Sequence, residues 1–306
     1  MITVLLATHN GERRLPITLA GLAAQSGAAP WQLIIIDDGS TDGTPKVIQS
    51  FAAELPLCHL TQQRGGKAAA LNRGLLYANG DVCVFIDDDV ELPEDFLVRY
   101  EGLIAEHPDF DVFGARIEAR WPASGGTPGW LVGEEEILSA AYGQHPCHLK
   151  PGPSSMDWIW GANYAVRKRA LEGAGQFDPR IGPGANARRQ GCELEFNLRL
   201  EKSGMRAWFS DTPRVRHIIR SEQLCSDWLR ARGFAYGRQQ FASTGGHTTG
   251  RVLGYPRWLV RSWVRAALAE FAARAFGRTD AALRQAWRRG LASGMLHESR
   301  RQRTSV

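Results

Sequence analysis

The first 120 residues switch hydrophobic period again and again, and this switching most constrains the fold. Five short apolar runs read as buried strands: "ITVLLAT" (2–8), "QLIIID" (32–37), "LCHL" (57–60), "VCVFID" (82–87) and "FDVFGARI" (110–117). Between them, apolar residues recur at steps of three and four, which predicts helices over 12–25, 44–51, 67–78 and 93–106. The last of these has Pro93 in its first turn, where a missing N–H costs nothing. Strand–helix alternation with short connections predicts βαβ units and a mostly parallel sheet. Ligands of such sheets bind outside the carboxyl ends of the strands. Three of those ends carry polar signals: "THN" after the first strand, "DDGSTD" after the second and "DDD" after the fourth.

Downstream the texture changes. Residues 121–157 are richer in Gly, Pro and Ser, contain "EEE" at 134–136, and read as a loop-bearing insertion. A strand and then a helix return over 156–175, followed by a long Gly- and Pro-containing loop at 177–191, a length that often carries function. "CELEFNLRL" (192–200) alternates like a strand, yet its Glu, Leu and Arg content and the "SG" that follows suit a helix and its cap. From Pro256 onward, Leu259, Val260, Trp263, Val264, Ala267, Leu268, Phe271, Ala272, Ala275 and Phe276 form a helical stripe, and Arg257, Arg261 and Arg265 line another face.

Hydrophobic residues make up 43% of the 306, which allows a sizeable core. No transmembrane helix is expected, and the N-terminus reads as a first strand, not a signal peptide. Five scattered cysteines, none in a C-x-x-C pair, argue against zinc or a disulfide framework and for a reducing compartment. The net charge of +5 conceals an asymmetry: residues 1–212 carry 19 Lys/Arg against 27 Asp/Glu, and residues 213–306 carry 18 Arg, no Lys and 5 acids. The acidic part holds the candidate site, and the basic part suggests an anionic surface partner.

The acidic triplet carries the chemistry. Carboxylates leaving water must be paired or metal-bound. On a strand, Asp87 and Asp89 point the same way and Asp88 the other, so two hard oxygen ligands converge as Mg2+ or Mn2+ requires. A solvated acidic turn before the next helix is the plainer alternative. Asp38 reads as an acceptor for a nucleobase N–H, and Thr8 and Asn10 as further contacts to the same nucleotide. Each of these is also a good turn or capping residue. In "QRGGKAAALNRG" (63–74), Gly65 and Gly66 precede a helix start suited to anions, with Lys67 and Arg73 as candidate phosphate or base contacts. Neither a GxxxxGK[ST] loop nor a GxGxxG is present. Arg188 and Arg189, in the long loop, read as phosphate contacts or acceptor-gating residues, or as a solvated basic loop.

In order, "VLLATHN", "IIIDDGSTDGT", "GGKAAALNRGL", "ANGDVCVFIDDDVELP", "GANYAVRKRAL" and "GCELEFNLRLEKSG" make the chain resemble family-2 glycosyltransferases over roughly residues 1–217. The resemblance implies an α/β GT-A fold with a mostly parallel central sheet, flanking helices and a helical C-terminal extension. It implies a catalytic domain at 1–220, with a nucleotide-binding half at 1–117 and an acceptor half at 118–220, ahead of a helical basic region at 221–306. It also implies a UDP-, GDP- or dTDP-linked sugar donor, a divalent metal (Mn2+ or Mg2+) and inversion at the anomeric carbon by one direct displacement. Carried over by motif, Asp38 falls at the base-binding position and Thr8 in the segment contacting the nucleoside. Asp87 and Asp89 fall on D-x-D, with Asp87 toward ribose and metal and Asp89 as direct metal ligand. Trp160, Gly161 and Asn163 fall where the family approaches donor sugar and acceptor. His217 matches a position that reaches the metal or diphosphate. The usual G-E-D-x-E reads G-C-E-L-E here, so Glu193 takes the general-base position, Cys192 replaces the preceding Glu, and Glu195 is the other carboxylate within reach.

The expected activity is therefore metal-dependent sugar transfer to a saccharide or lipid-linked acceptor. The expected location is cytoplasmic, with an anionic membrane surface as a candidate partner of the basic C-terminal helix. The competing class is a nucleotide-sugar-binding protein without catalysis, kept in view by Cys192. A sugar-1-phosphate nucleotidyltransferase would want a Gly-rich basic loop that "THNGERRLP" lacks, and nucleic-acid binding finds no supporting motif.

Overall fold

The computed structural model describes residues 1–122, 126–184, 191–244, 250–252 and 254–304. It divides into two compact units, Met1–Ala119 with Gly143–Ile218, and Arg120–Tyr142 with Ile219–Val306. The segment expected to be a loop-bearing insertion of an acceptor half is thus divided, its stretch Arg120–Tyr142 grouping with the C-terminal region.

In chain order the elements are β1 (Ile2–Thr8), α1 (Leu15–Ala23), β2 (Gln32–Asp37), α2 (Thr44–Ser50), β3 (Leu57–Thr61), α3 (Lys67–Leu75), β4 (Val82–Ile86), β5 (Val90–Glu91), α4 (Phe96–Glu106) and β6 (Val112–Arg120). They continue with α5 (Glu135–Tyr142), β7 (Gly152–Ser154), β8 (Asn163–Arg167), α6 (Lys168–Ala174), α7 (Cys192–Lys202), β9 (Ala207–Ile218), α8 (Ser226–Thr244), β10 (Arg251–Val252), β11 (Tyr255–Pro256), α9 (Arg257–Ala275) and α10 (Thr279–Thr304).

The main sheet runs β3-β2-β1-β4-β8-β6-β9-β5, with β7 on β9. It is parallel across β3-β2-β1-β4 and antiparallel from β8 outward, where β8 pairs with β4 and β6, and β9 with β5 and β7. Of the parallel strands, β1, β2 and β4 are near-continuous apolar runs because both faces are covered, whereas the edge strand β3 is only partly buried. Val4, Leu6, Ile35 and Val84 join one core, and Leu5, Ile34, Ile36 and Phe85 join the other. Register aligns the strand ends: Thr8 lies opposite Asp37, Leu6 opposite Ile86, and Ile86 opposite Asn163. The three polar loops therefore emerge along one edge. Val90 pairs with His217, which brings β9 to the end of the acidic triplet.

The ambiguous stretch 192–200 is the helix α7. Cys192, Phe196, Asn197 and Leu200 form its buried face, a spacing that only a helix turns inward. Gly191 enters it with φ +93°, and Gly204 (φ +82°) closes it, with Met205 N–H donating to Leu200 C=O (3.1 Å).

In the second unit, α8 and α10 cross at two glycine pairs. A Cβ at Gly237 would stand 2.2 Å from the Leu291 carbonyl oxygen, and one at Gly294 would stand 2.0 Å from that of Phe234. Gly233 and Gly290 oppose the backbone carbonyls of Trp287 (2.7 Å) and Arg230 (2.2 Å) in the same way. The buried carboxylate of Glu270 on α9 accepts from Arg230 (3.1 Å), Arg274 (2.8 Å) and Arg289 (3.3 Å). The single apolar stripe expected on this helix is in fact divided between two faces. Leu259, Ala266 and Ala273 pack inward, whereas Trp258, Val264, Leu268 and Phe271 face solvent. Among the described residues no helix is long and apolar enough to cross a membrane.

Candidate active site

The loop ends are tied to one another before any ligand is considered. Asn10 sits at φ +51°, a left-handed conformation Asn tolerates. Its N–H donates to Ser40 Oγ (2.9 Å) and its Oδ1 accepts from Thr41 N–H (2.8 Å), so it joins the loops after β1 and β2. Asp38, expected to face a nucleobase, is buried. Its carboxylate accepts from Gln62 Nε2 (2.7 Å), Gly65 N–H (2.7 Å) and Gly66 N–H (2.8 Å). The next N–H, that of Lys67, donates to the Pro183 carbonyl (3.0 Å). The start of α3, expected to be free for an anion, already has its anion in Asp38. His9 completes this corner, with Nδ1 on the Asp38 carbonyl (2.9 Å) and Nε2 against Arg64.

Strand alternation does not govern the acidic triplet, because β4 ends at Ile86 and residues 87–89 form the connection to β5. Each carboxylate has its own partner. Asp88 is buried and accepts from Thr8 Oγ1 (2.6 Å) and Arg14 Nη2 (2.8 Å). Thr8, expected at the nucleoside, thus spends its hydroxyl on Asp88. Burial and the neighbouring Asp89 push the Asp88 carboxyl up, against the pull of Arg14 and Thr8. Asp89 Oδ1 lies 3.3 Å from His217 Nε2. Asp87 Oδ1 lies 2.5 Å from Lys67 Nζ.

Lys67 also reaches Glu193 Oε1 at 2.5 Å, so one partly buried ammonium bridges the first residue of the acidic motif and the expected base. Burial pushes the Glu193 carboxyl up, but the charge and hydrogen bond of Lys67, with the Cys192 thiol donating at 3.0 Å, outweigh it and hold it at about 2. Glu193 is therefore an ionised carboxylate. Burial drives the Cys192 thiol well up, helped by the Glu193 charge, so it stays a neutral donor. Gly161 lies against this carboxylate: a Cβ there would be 2.3 Å from Glu193 Oε1. Glu195, the other carboxylate of the motif, is held by Arg199 (2.7 Å) four residues on.

The donor set allows a test of metal fit. Asp89 and His217 converge, Asp87 is close in sequence and part-exposed, and among the described residues no group of three His, Cys, Asp or Glu side chains forms a ready-made cage. That pattern fits Mg2+ or Mn2+, which keep several positions for water and phosphate oxygens, and does not fit a structural ion enclosed by protein.

Asn163, expected beside donor and acceptor, is fully buried at the start of β8. Its Nδ2 donates to the carbonyls of Arg116 (3.1 Å) and Pro213 (2.9 Å), and its Oδ1 accepts from Tyr100 (2.9 Å). Every hydrogen of its amide is used inside the sheet, so it fixes β8 and does not meet substrate. Trp160, partly exposed, stacks on His145 at 4.0 Å. Arg188 and Arg189 lie outside the described residues. His9, Arg14 and Arg64 went unread in the sequence, and Asp88 reads there only as pointing away from its two neighbours. Only the fold shows which loops meet, although "THNGERR" carries two of them in plain view.

His145 makes a pH prediction. Its Nδ1 accepts from Ile117 N–H (3.0 Å) and its Nε2–H donates to Trp158 C=O (3.0 Å). Burial lowers its pKa to about 4 despite the Trp158 bond, and Arg116 adds to the fall. The unfolded chain takes up this proton below about 6.5 and the folded one only near 4, so stability falls as pH drops through that window, by about 3 kcal/mol. Urea unfolding between pH 7 and 4.5 checks this, and His145→Gln is expected to flatten the slope.

Residues 3–150 match the family described as "Glycosyl transferase family 2". The putative glycosyltransferase EpsE of Bacillus subtilis (strain 168) is 32% identical over 117 residues, 37% of this chain and 41% of that protein. The chain spans less than half the length of the curated relatives it matches. Among solved structures, the mannosyltransferase PcManGT from Pyrobaculum calidifontis, in complex with GDP-Man and Mn2+, superposes with TM-score 0.62 at 20% identity, covering 96% of this chain and 86% of that one. S. aureus TarS 1-349 in complex with UDP-GlcNAc gives 0.57 at 16%, covering 99% and 92%. At these identities the superpositions speak for the fold alone.

Proposed function

Residues 3–150 belong to glycosyl transferase family 2 and the fold is GT-A; from that premise we propose that the chain transfers a sugar from a nucleotide-diphosphate donor to a hydroxyl of a saccharide or lipid-linked acceptor, with inversion. The observation that carries this is Glu193, a partly buried ionised carboxylate, linked through Lys67 to Asp87. The acceptor hydroxyl gives its proton to Glu193. Its oxygen bonds to the anomeric carbon while the bond to the diphosphate oxygen breaks, and the electron pair leaves with the nucleoside diphosphate. Held by Lys67, Glu193 is a weak base. A diphosphate offers that ammonium another anion, and a carboxylate released from it regains basicity. Glycine at 161 lets the Glu193 side chain lie directly against the backbone, where a Cβ would collide with it at 2.3 Å.

On the donor side, Asn10, Asp38 and Thr8 act by building the loops that border the nucleoside, Asp38 through residues 62–66 and Thr8 through Asp88. Asp89 and His217, with Asp87, would hold Mn2+ or Mg2+. The ion would neutralise charge gathering on the leaving diphosphate. Trp160 offers a ring for a sugar or acceptor face. PcManGT is described with GDP-Man and Mn2+ and TarS with UDP-GlcNAc, which supports a nucleotide-sugar donor here. All five cysteines are free, which supports work in a reducing compartment, on the cytoplasmic side of a membrane.

The test is a thermal-shift panel of UDP-, GDP- and dTDP-sugars with Mn2+ or with EDTA. One donor is expected to stabilise the protein only with metal. Asp89→Ala is expected to abolish that metal-dependent binding. Unchanged Mn2+ dependence in the variant would count against the assignment. Donor binding with no turnover on any acceptor would favour a binding protein.

A further inference from the structure

We propose that the outward face of α9 docks the second unit on a bilayer surface containing anionic lipid. Large apolar side chains exposed to water are concentrated here. Trp258, Val264, Leu268, Phe271 and Phe276 lie within one helix and its cap, and the last three are 65%, 74% and 77% exposed. A helix whose sole task is packing would turn such residues inward, as α9 does with Leu259, Ala266 and Ala273. Scattered exposed hydrophobics need no explanation, but a contiguous patch does.

Charge says what covers the patch. Arg257, Arg261 and Arg265, all exposed, stand at four-residue steps. Leu268, Ala272 and Phe276 continue the same ridge. One ridge is thus basic in its first half and apolar in its second. Several of the unit's other arginines have carboxylates: Glu270 takes Arg230, Arg274 and Arg289, and Glu134 takes Arg284 and Arg288. Among the described residues no carboxylate pairs with Arg257, Arg261 or Arg265. Guanidinium groups left unpaired beside an aromatic and aliphatic strip suit lipid phosphates above and acyl chains beneath, with the helix lying in the interfacial plane. A second copy of this chain is a poorer occupant, because the outward face of α9 carries no carboxylate and its arginines would meet no acid on an identical face.

The experiment is co-sedimentation of the full chain with phosphatidylcholine vesicles, with and without phosphatidylglycerol. The protein is expected to partition onto the anionic vesicles, and less as salt rises. Two variants are read beside it: Leu268→Ser with Phe271→Ser, and Arg257→Gln with Arg261→Gln and Arg265→Gln. Each is expected to lower partitioning about tenfold. Both sets lie on solvent-facing positions, so circular dichroism and nucleotide-sugar thermal shift are expected to match the parent. If the serine pair unfolds, the glutamine triple still decides. Equal sedimentation with neutral and anionic vesicles overturns the proposal, as does wild-type partitioning by the variants. So does a dimer in sedimentation velocity that the serine pair abolishes while vesicles are ignored. The donor-binding readout stands apart from the vesicle readout, so failure of membrane docking is distinguishable from failure of the transferase reading.

Discussion

Glu193→Gln is expected to bind donor almost as the parent does and to lose transfer, kcat falling by about 10²- to 10⁴-fold, the range a general base contributes. The amide keeps the shape beside Gly161 and can still accept from Lys67, but it cannot take a proton. Release of nucleoside diphosphate in the presence of acceptor measures the loss, and thermal shift with donor measures the binding. Glu195→Gln is the matched control. That carboxylate is bound to Arg199 at 2.7 Å, and its removal is expected to change turnover only a few-fold. If Glu193→Gln turns over normally while Glu195→Gln does not, the base has been assigned to the wrong member of the motif.

Gly294→Ala is expected to cost about 3 kcal/mol of stability or more, a large effect for a single methyl group. The added carbon would sit 2.0 Å from the Phe234 carbonyl oxygen, which is backbone and cannot rotate away. To admit it, α8 and α10 must separate along the contact that also brings Gly237 to Leu291 and Gly290 to Arg230. Overpacking of this kind forces backbone shifts. Urea titration with a probe on Trp287, buried between these helices, reads the change. Gly102→Ala provides the contrast: nothing lies within 4 Å of its Cβ position on α4, and the substitution is expected to be neutral or slightly stabilising. Equal costs at the two positions would mean that the close crossing is not what holds the second unit.

The parallel half of the sheet was legible because β1, β2 and β4 are near-continuous apolar runs too short for a helix, with a shorter, partly buried β3 at the edge. β9 was not. Its "AWFSDTPRVRHI" mixes buried and exposed positions and carries Pro213, so neither period stands out. β5 has two residues and exists only because β9 pairs with it. α8 and α10 are nearly uniform in polarity around their circumference, since glycine and arginine rather than a leucine stripe form their contact. In the site, residue types were readable and partners were not. Asp38, Lys67, Asp87, Asp89 and Glu193 all stand at loop ends that the register brings to one edge. Nothing local says that Asp38 binds its own chain, or that Asn163 turns inward to Tyr100. α7 was ambiguous because Glu and Leu alternate while the buried spacing follows Cys192, Phe196 and Leu200.

Lys67 gives the centre an accounting of its own. A single cation balances two anions that the proposed function assigns to opposite partners of the reaction, Asp87 to the nucleotide's side and Glu193 to the acceptor's. Removing either anion strengthens the hold on the other, so the penalties for altering Asp87 and Glu193 separately do not sum to the penalty for altering both. A vocabulary that grades each side chain by its own contribution therefore fails at this spot, and the unit of description becomes the trio.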